Sequence, residues 1–136
     1  MKMFILKIAT LSLLLVATPM AAQAETGWII YEPGLVKSAI ANGETVLLGY
    51  LSSWWGTCAR QKGVLKKLRA SDPEYDKSIT FVLIDWDTFS SHAVTTSRKI
   101  PRRSTLVLIN GGTETGRLVA RTSEQKIKAL LDNGLK

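Results

Sequence analysis

The chain has 136 residues, with 18 basic side chains against 11 acidic ones, a length that sets one domain with a real core and no room for two. Apolar residues at 46% and charged residues at 21% are ordinary for a folded protein and exclude global disorder. The single cysteine excludes an internal disulfide framework, a four-cysteine zinc site and any dithiol couple within one molecule.

The first segment reads as a targeting signal rather than as part of the fold. Lys2 and Lys7 precede an apolar run from Ile8 to Val16, followed by Pro19 and the small-residue end Ala22-Gln23-Ala24. This pattern predicts a secretory signal peptide over residues 1–24, cleaved between Ala24 and Glu25. The apolar run is shorter than the ~20 residues that span a bilayer, so a membrane anchor is not expected after cleavage. The remaining chain, residues 25–136, loses two lysines and no acid from a formal charge of +7. Export places Cys58 in an oxidising compartment, where a lone thiol is unusual. A bacterial periplasm is the expected location.

In the exported chain, Trp28 to Tyr31 reads as a short apolar strand. Pro33 to Ala41 predicts a helix, with Leu35, Val36, Ala39 and Ile40 on one face and Asn42-Gly43 as its stop. Thr45 to Ser52 is a continuous β-prone run, as for a strand buried on both faces. A loop, Ser53-Trp54-Trp55-Gly56-Thr57, leads into a helix from about Cys58 to Ala70. There Val64, Leu65 and Leu68 recur at helical spacing, and Ser71-Asp72-Pro73 ends it. Ile79 to Ile84 predicts a second buried strand. Ser90 to Lys99 has weak helical character because Val94, Thr95 and Thr96 are β-branched. Thr105 to Ile109 and Thr115 to Ala120 are strands around an Asn110-Gly111-Gly112 hairpin. Thr122 with Gln125 predicts a capping box for a last helix, with Ile127, Leu130 and Leu131 facing the core and Gly134 at its end. Strand–helix–strand order requires a parallel pair, and the hairpin an antiparallel one. The predicted class is α/β, a central mixed sheet flanked by helices on both faces.

This element order, with Trp54-Trp55-Gly56-Thr57-Cys58 between the first core strand and the next helix, resembles thioredoxin. The family carries W-C-G-x-C at that junction, and W-W-G-T-C stands here in its place. The resemblance runs from about Val46 through the last helix and includes the Ile84-Asp85-Trp86-Asp87 strand end and the Ser104-to-Ile109 strand with its glycine hairpin. It implies a thioredoxin-like fold in a single domain, residues 25–136, and an ancestry in thiol-disulfide exchange. It also implies that Trp55 occupies the position of the attacking cysteine, and Cys58 that of the resolving one. A dithiol cycle needs both, because one thiolate attacks the substrate disulfide and the other resolves the mixed disulfide. The family's buried acid aligns with Gly49, and the lysine that partners that acid aligns with Leu83. The family's cis-proline aligns with Ser104, with Pro101 three residues earlier. A cis bond before a non-proline residue costs ~2.5–4 kcal/mol, which favours a trans bond or a rearranged loop at Ser104. The alternative is a cis Pro101 with a local insertion after it.

The candidate catalytic group is Cys58 alone. A helix N-terminus and nearby basic side chains favour a thiolate there, while a half-buried thiol acting as a small apolar residue is the plainer reading. The candidate binding residues are Trp54, Trp55, Gly56, Thr57, Ser104 and Thr105, which in the family border the groove for extended peptides. Two adjacent indoles suit a binding anchor, or a lid over Cys58. Arg98, Lys99, Arg102 and Arg103 form a basic run beside this groove that suits acidic peptide or anionic headgroups, or simply a solvated loop. His92 with Asp85 and Asp87 lacks a metal-ligand pattern, and the acids suit helix caps. No metal site, cofactor site or nucleic-acid motif is expected. The functional expectation is a redox-fold protein without dithiol activity that binds peptide or protein partners. The alternative is a monothiol protein forming mixed or intermolecular disulfides through Cys58, so whether the chain is an enzyme stays open at the sequence level.

Overall fold

A computed structural model describes residues 27–136, so the segment read as a signal peptide, residues 1–24, lies outside the described residues. Five strands form one mixed sheet: β1 (Ile29–Ile30), β2 (Thr45–Leu51), β3 (Ile79–Asp85), β4 (Thr105–Asn110) and β5 (Thr113–Val119). Their spatial order is β1-β3-β2-β4-β5, with β3 parallel to β1 and β2, and β4 antiparallel to β2 and β5. The helices are α1 (Leu35–Ala41), α2 (Gly56–Ser71), α3 (Glu74–Ser78), α4 (Trp86–Phe89), α5 (Ala93–Thr96) and α6 (Glu124–Asp132), the last followed by a 3-10 turn at Asn133–Leu135.

Strand alternation splits the core in two. Leu47 and Leu51 of β2 join Phe81, Leu106 and Leu108 under α2, α3 and α6. Val46, Leu48 and Tyr50 join Val82, Ile84, Val107 and Ile109 under α1 and α5. β2 is buried on both faces, which is why its sequence reads as an unbroken apolar run. The hairpin closes through Gly111 and Gly112 alone, at φ 60° and 77°, a left-handed pair that glycine adopts without steric cost.

Several boundaries differ from the sequence reading for local reasons. The α6 cap is Ser123 rather than Thr122, its hydroxyl accepting from the Lys126 N–H. Within the Ser90-to-Lys99 stretch the helix is a single turn, Ala93–Thr96, and a separate turn, Trp86–Phe89, precedes it. Hydroxyls there compete for backbone acceptors, with Thr95 donating to Phe89 O and Thr96 to His92 O. The five-residue α3 has too little length for periodicity to reveal it. Its start is set by Asp72 accepting from the Glu74 N–H.

Tyr50 fixes α5 to the sheet by donating its phenol to Val94 O at 2.6 Å. Burial pushes its pKa from 10.0 up to about 12. The neutral phenol is therefore favoured in the folded state, so its stabilisation is complete below pH 10 and is lost as pH rises towards 12. The two-unit difference corresponds to about 3 kcal/mol. Between pH 10 and 12 the wild type is expected to lose urea resistance more steeply than Tyr50→Phe. Parallel slopes in urea titrations would contradict this.

Candidate functional site

The β2–α2 junction brings the motif residues together. Trp55 is the extended residue before α2, with φ −101° and ψ 123°, so Gly56 and Thr57 form the first helical turn and Cys58 follows on its inner side. The helix thus starts two residues before the boundary read from sequence. Cys58 is wholly buried in the α2 face of the core. Its Sγ lies 2.8 Å from Ser104 Oγ and accepts from the Ser52 N–H at 3.4 Å. Ser104 and Thr105 are also wholly buried, so their side chains face inward rather than into a solvent groove. Thr105 Oγ1 donates to Arg102 O at 2.7 Å.

Ser104 explains why no proline stands at its position. Its φ is 61°, a left-handed conformation closed to proline, whose ring fixes φ near −65°. Its N–H donates to Tyr50 O at 2.8 Å, a bond that proline lacks the hydrogen to make. Its carbonyl accepts from the Ala120 N–H and from Gln61 Nε2, at 2.8 and 2.9 Å. No cis peptide bond occurs among the described residues, so Pro101 is trans. Together these bonds hold a backbone conformation of a kind that costs about 1–3 kcal/mol when unsupported.

At Gly49, which the thioredoxin resemblance aligns with a buried acid, the space is already filled. A Cβ there would lie 3.1 Å from two ring atoms of Trp28 and 3.2 Å from Leu51 Cδ1. Gly49 pairs across the strands with Leu83. The two positions that the resemblance aligns with an acid and its lysine are thus register partners, and both are apolar here.

Outside this sealed interior sits an aromatic and ionic cluster. Trp54 is 63% exposed and meets Trp55 edge to face, with ring centroids 5.3 Å apart. The Arg103 guanidinium lies over both rings, 4.7 and 4.8 Å from their centroids. Asp87 accepts from Trp54 Nε1 at 2.7 Å and from Ser52 Oγ at 3.3 Å, and its carboxylate lies 3.9 Å from Arg103. Trp55 is half-buried against the core beside Cys58, and its Nε1–H is buried without an acceptor. Gly56 is exposed and Thr57 half-exposed.

The reading of Asp87 as a helix cap gives way to this role in holding Trp54. Asp85 sits at the N-cap position of α4 but accepts from the Thr88 hydroxyl rather than from a backbone N–H, and His92 Nδ1 accepts from the Val94 N–H at the start of α5. Asp85 and His92 therefore serve local geometry. The basic run also divides. Arg103 belongs to the indole cluster, while Arg117 donates to Arg98 O and Lys99 O and ties that loop to β5. Gln61, which the sequence reading did not single out, is buried and bridges Ser104 O to Arg121 O. Its position one turn after Cys58 on the inner face was the available signal.

A thiol so enclosed reacts only when the structure opens. Iodoacetamide labelling of Cys58 in the native protein is expected to be about a hundredfold or more slower than in the urea-unfolded chain. Equal rates would contradict the buried placement.

No protein-family model matches the chain, and no curated protein does. Solved structures do. Trxlp from Edwardsiella tarda EIB202 superposes with a TM-score of 0.67 at 26% identity, over 76% of this chain and 98% of that one. The Malassezia sympodialis thioredoxin gives 0.65 at 20% identity, covering 79% and 92% of the two chains. The oxidised Plasmodium falciparum thioredoxin gives 0.65 at 21% identity, covering 80% and 99%. The sheet order, the helices on both faces and these likenesses define a thioredoxin-fold protein. Among the described residues, no helix is long and apolar enough to cross a membrane.

Proposed function

We propose that this chain is an exported periplasmic protein that keeps the thioredoxin fold, lacks dithiol oxidoreductase activity and binds peptide or protein partners at the motif loop. The observation that carries this reading is the reversal of exposure across the motif. The thiol is wholly buried, and an indole, Trp54, is the large apolar group offered to solvent. Trp55 stands where a second thiol would be needed, and Gly49 and Leu83 supply no group to move a proton. Trp54 is also held in place before any ligand arrives, by Asp87 at its Nε1 and Arg103 over its ring. A pre-set aromatic side chain costs little entropy on binding.

Fluorescence anisotropy with a panel of labelled, blocked peptides tests the reading. Binding by the wild type should weaken by about tenfold or more in Trp54→Ala, the loss typical of an aromatic anchor. No binding across the panel, or equal binding by both proteins, would overturn it.

A further inference from the structure

Beside the indole cluster lies a depression of about 250 Å³ lined by Trp55, Trp86, Pro101, Arg102 and Arg103. Its walls are two indoles and a proline ring, and its only charged lining groups are two guanidinia. Arg103 is partly engaged by Asp87, whereas Arg102 is exposed and its side chain makes no ion pair among the described residues. The depression therefore joins apolar walls to a positive rim, in which Arg103 is shared with Asp87 and Arg102 carries the unshared charge. Trp55, one of its walls, retains a buried Nε1–H that lacks an acceptor.

We propose that this slot selects acidic segments: an extended stretch of a partner protein with an aromatic side chain flanked by aspartate or glutamate. This rests on the peptide-binding reading above and specifies the partner's chemistry. The aromatic side chain enters between Trp55, Trp86 and Pro101, and a flanking carboxylate meets Arg102 and Arg103. Guanidinium–carboxylate pairing supplies direction as well as charge. The concave shape suits a protruding side chain. A flat anionic bilayer fits less well, because its surface cannot enter a depression walled by two indoles and a proline ring.

The test compares three blocked peptides that share a central phenylalanine flanked by aspartate and glutamate, by lysine, or by serine and glutamine. The acidic peptide should bind the wild type roughly fivefold to tenfold more tightly than the neutral one, and the lysine peptide most weakly. The preference should shrink between about 0.05 and 0.5 M salt. Arg102→Glu should reverse the order of the acidic and lysine peptides, an effect that a merely structural arginine would not produce. Equal binding of all three peptides, unaltered in Arg102→Glu, would overturn this proposal and leave the peptide-binding reading standing. Binding of none of them would remove both. Vesicles of phosphatidylglycerol form a separate arm, and tight binding there without discrimination among the peptides would overturn the proposal in favour of a lipid surface.

Discussion

Trp55→Cys is expected to create an oxidisable pair and to raise insulin reduction, with dithiothreitol as reductant, from background to measurable turnover. Positions 55 and 58 flank the first turn of α2. Side chains three apart on a helix have Cβ atoms ~5–6 Å apart, close enough for a modest backbone adjustment to bring two sulfurs into bonding distance. In the cycle, the new thiolate attacks the substrate disulfide and releases one substrate thiol. Cys58 then attacks the new residue's sulfur, releasing the second substrate thiol and leaving the internal disulfide for dithiothreitol to reduce. The substitution has a structural cost. Trp55 packs against the core, and losing a half-buried indole should remove roughly 1–3 kcal/mol, below the full-burial range. Closing so short a loop by a disulfide returns about 2 kcal/mol through chain entropy. The reduced variant should therefore unfold at lower urea than the wild type, and the oxidised variant close to it. Turnover should remain slow, because Gly49 and Leu83 offer no acid or base near Cys58. A variant that folds but forms no disulfide would show that the junction itself has changed shape.

Gly49→Asp is expected to be strongly destabilising. The Cβ would press on the Trp28 ring at 3.1 Å, and that ring is itself fixed edge to face on Phe81 with centroids 5.7 Å apart. Overpacking of this kind costs about 1–3 kcal/mol. A buried carboxyl without a partner adds a further ~1–3 kcal/mol even when it takes up a proton. The urea midpoint should fall by about 1 M or more, given m values of about 1–3 kcal/mol/M for small domains. Gly49→Ala, which carries only the steric part, should lose less. Adding Leu83→Lys to Gly49→Asp places a cation on the register partner and should restore part of the loss. An unchanged midpoint in Gly49→Asp would mean that the Trp28 ring moves freely, and that the site readily accepts an acid.

Much of the architecture was legible because it follows from short-range rules. The β2 and β3 runs, the glycine hairpin and the α2 periodicity each specify one element, and their order specifies a mixed sheet. The single thiol and its position were legible for the same reason. Three features were hidden because they are tertiary. Asp87 is close in sequence to a helix start, yet its partners, Trp54 and Ser52, come from the β2–α2 loop. Arg103 reads as part of a basic run, yet it is set on two indoles nearly fifty residues earlier in the chain. The replacement of a family proline by Ser104 looks like simple loss in sequence. In space it is a different solution, a left-handed residue pinned through its N–H, its carbonyl and its hydroxyl. The proposed signal peptide, residues 1–24, rests on a local pattern alone, and its test is the N-terminus of the protein recovered from the periplasm, expected at Glu25.

The central claim is that the fold persists here without its dithiol chemistry. Insulin reduction by the mature protein, with dithiothreitol as reductant and Cys58→Ser as reference, tests it most directly. The account predicts traces for the two proteins that superpose on the dithiothreitol-only background. Turnover comparable to a dithiol thioredoxin, abolished in Cys58→Ser, would contradict it.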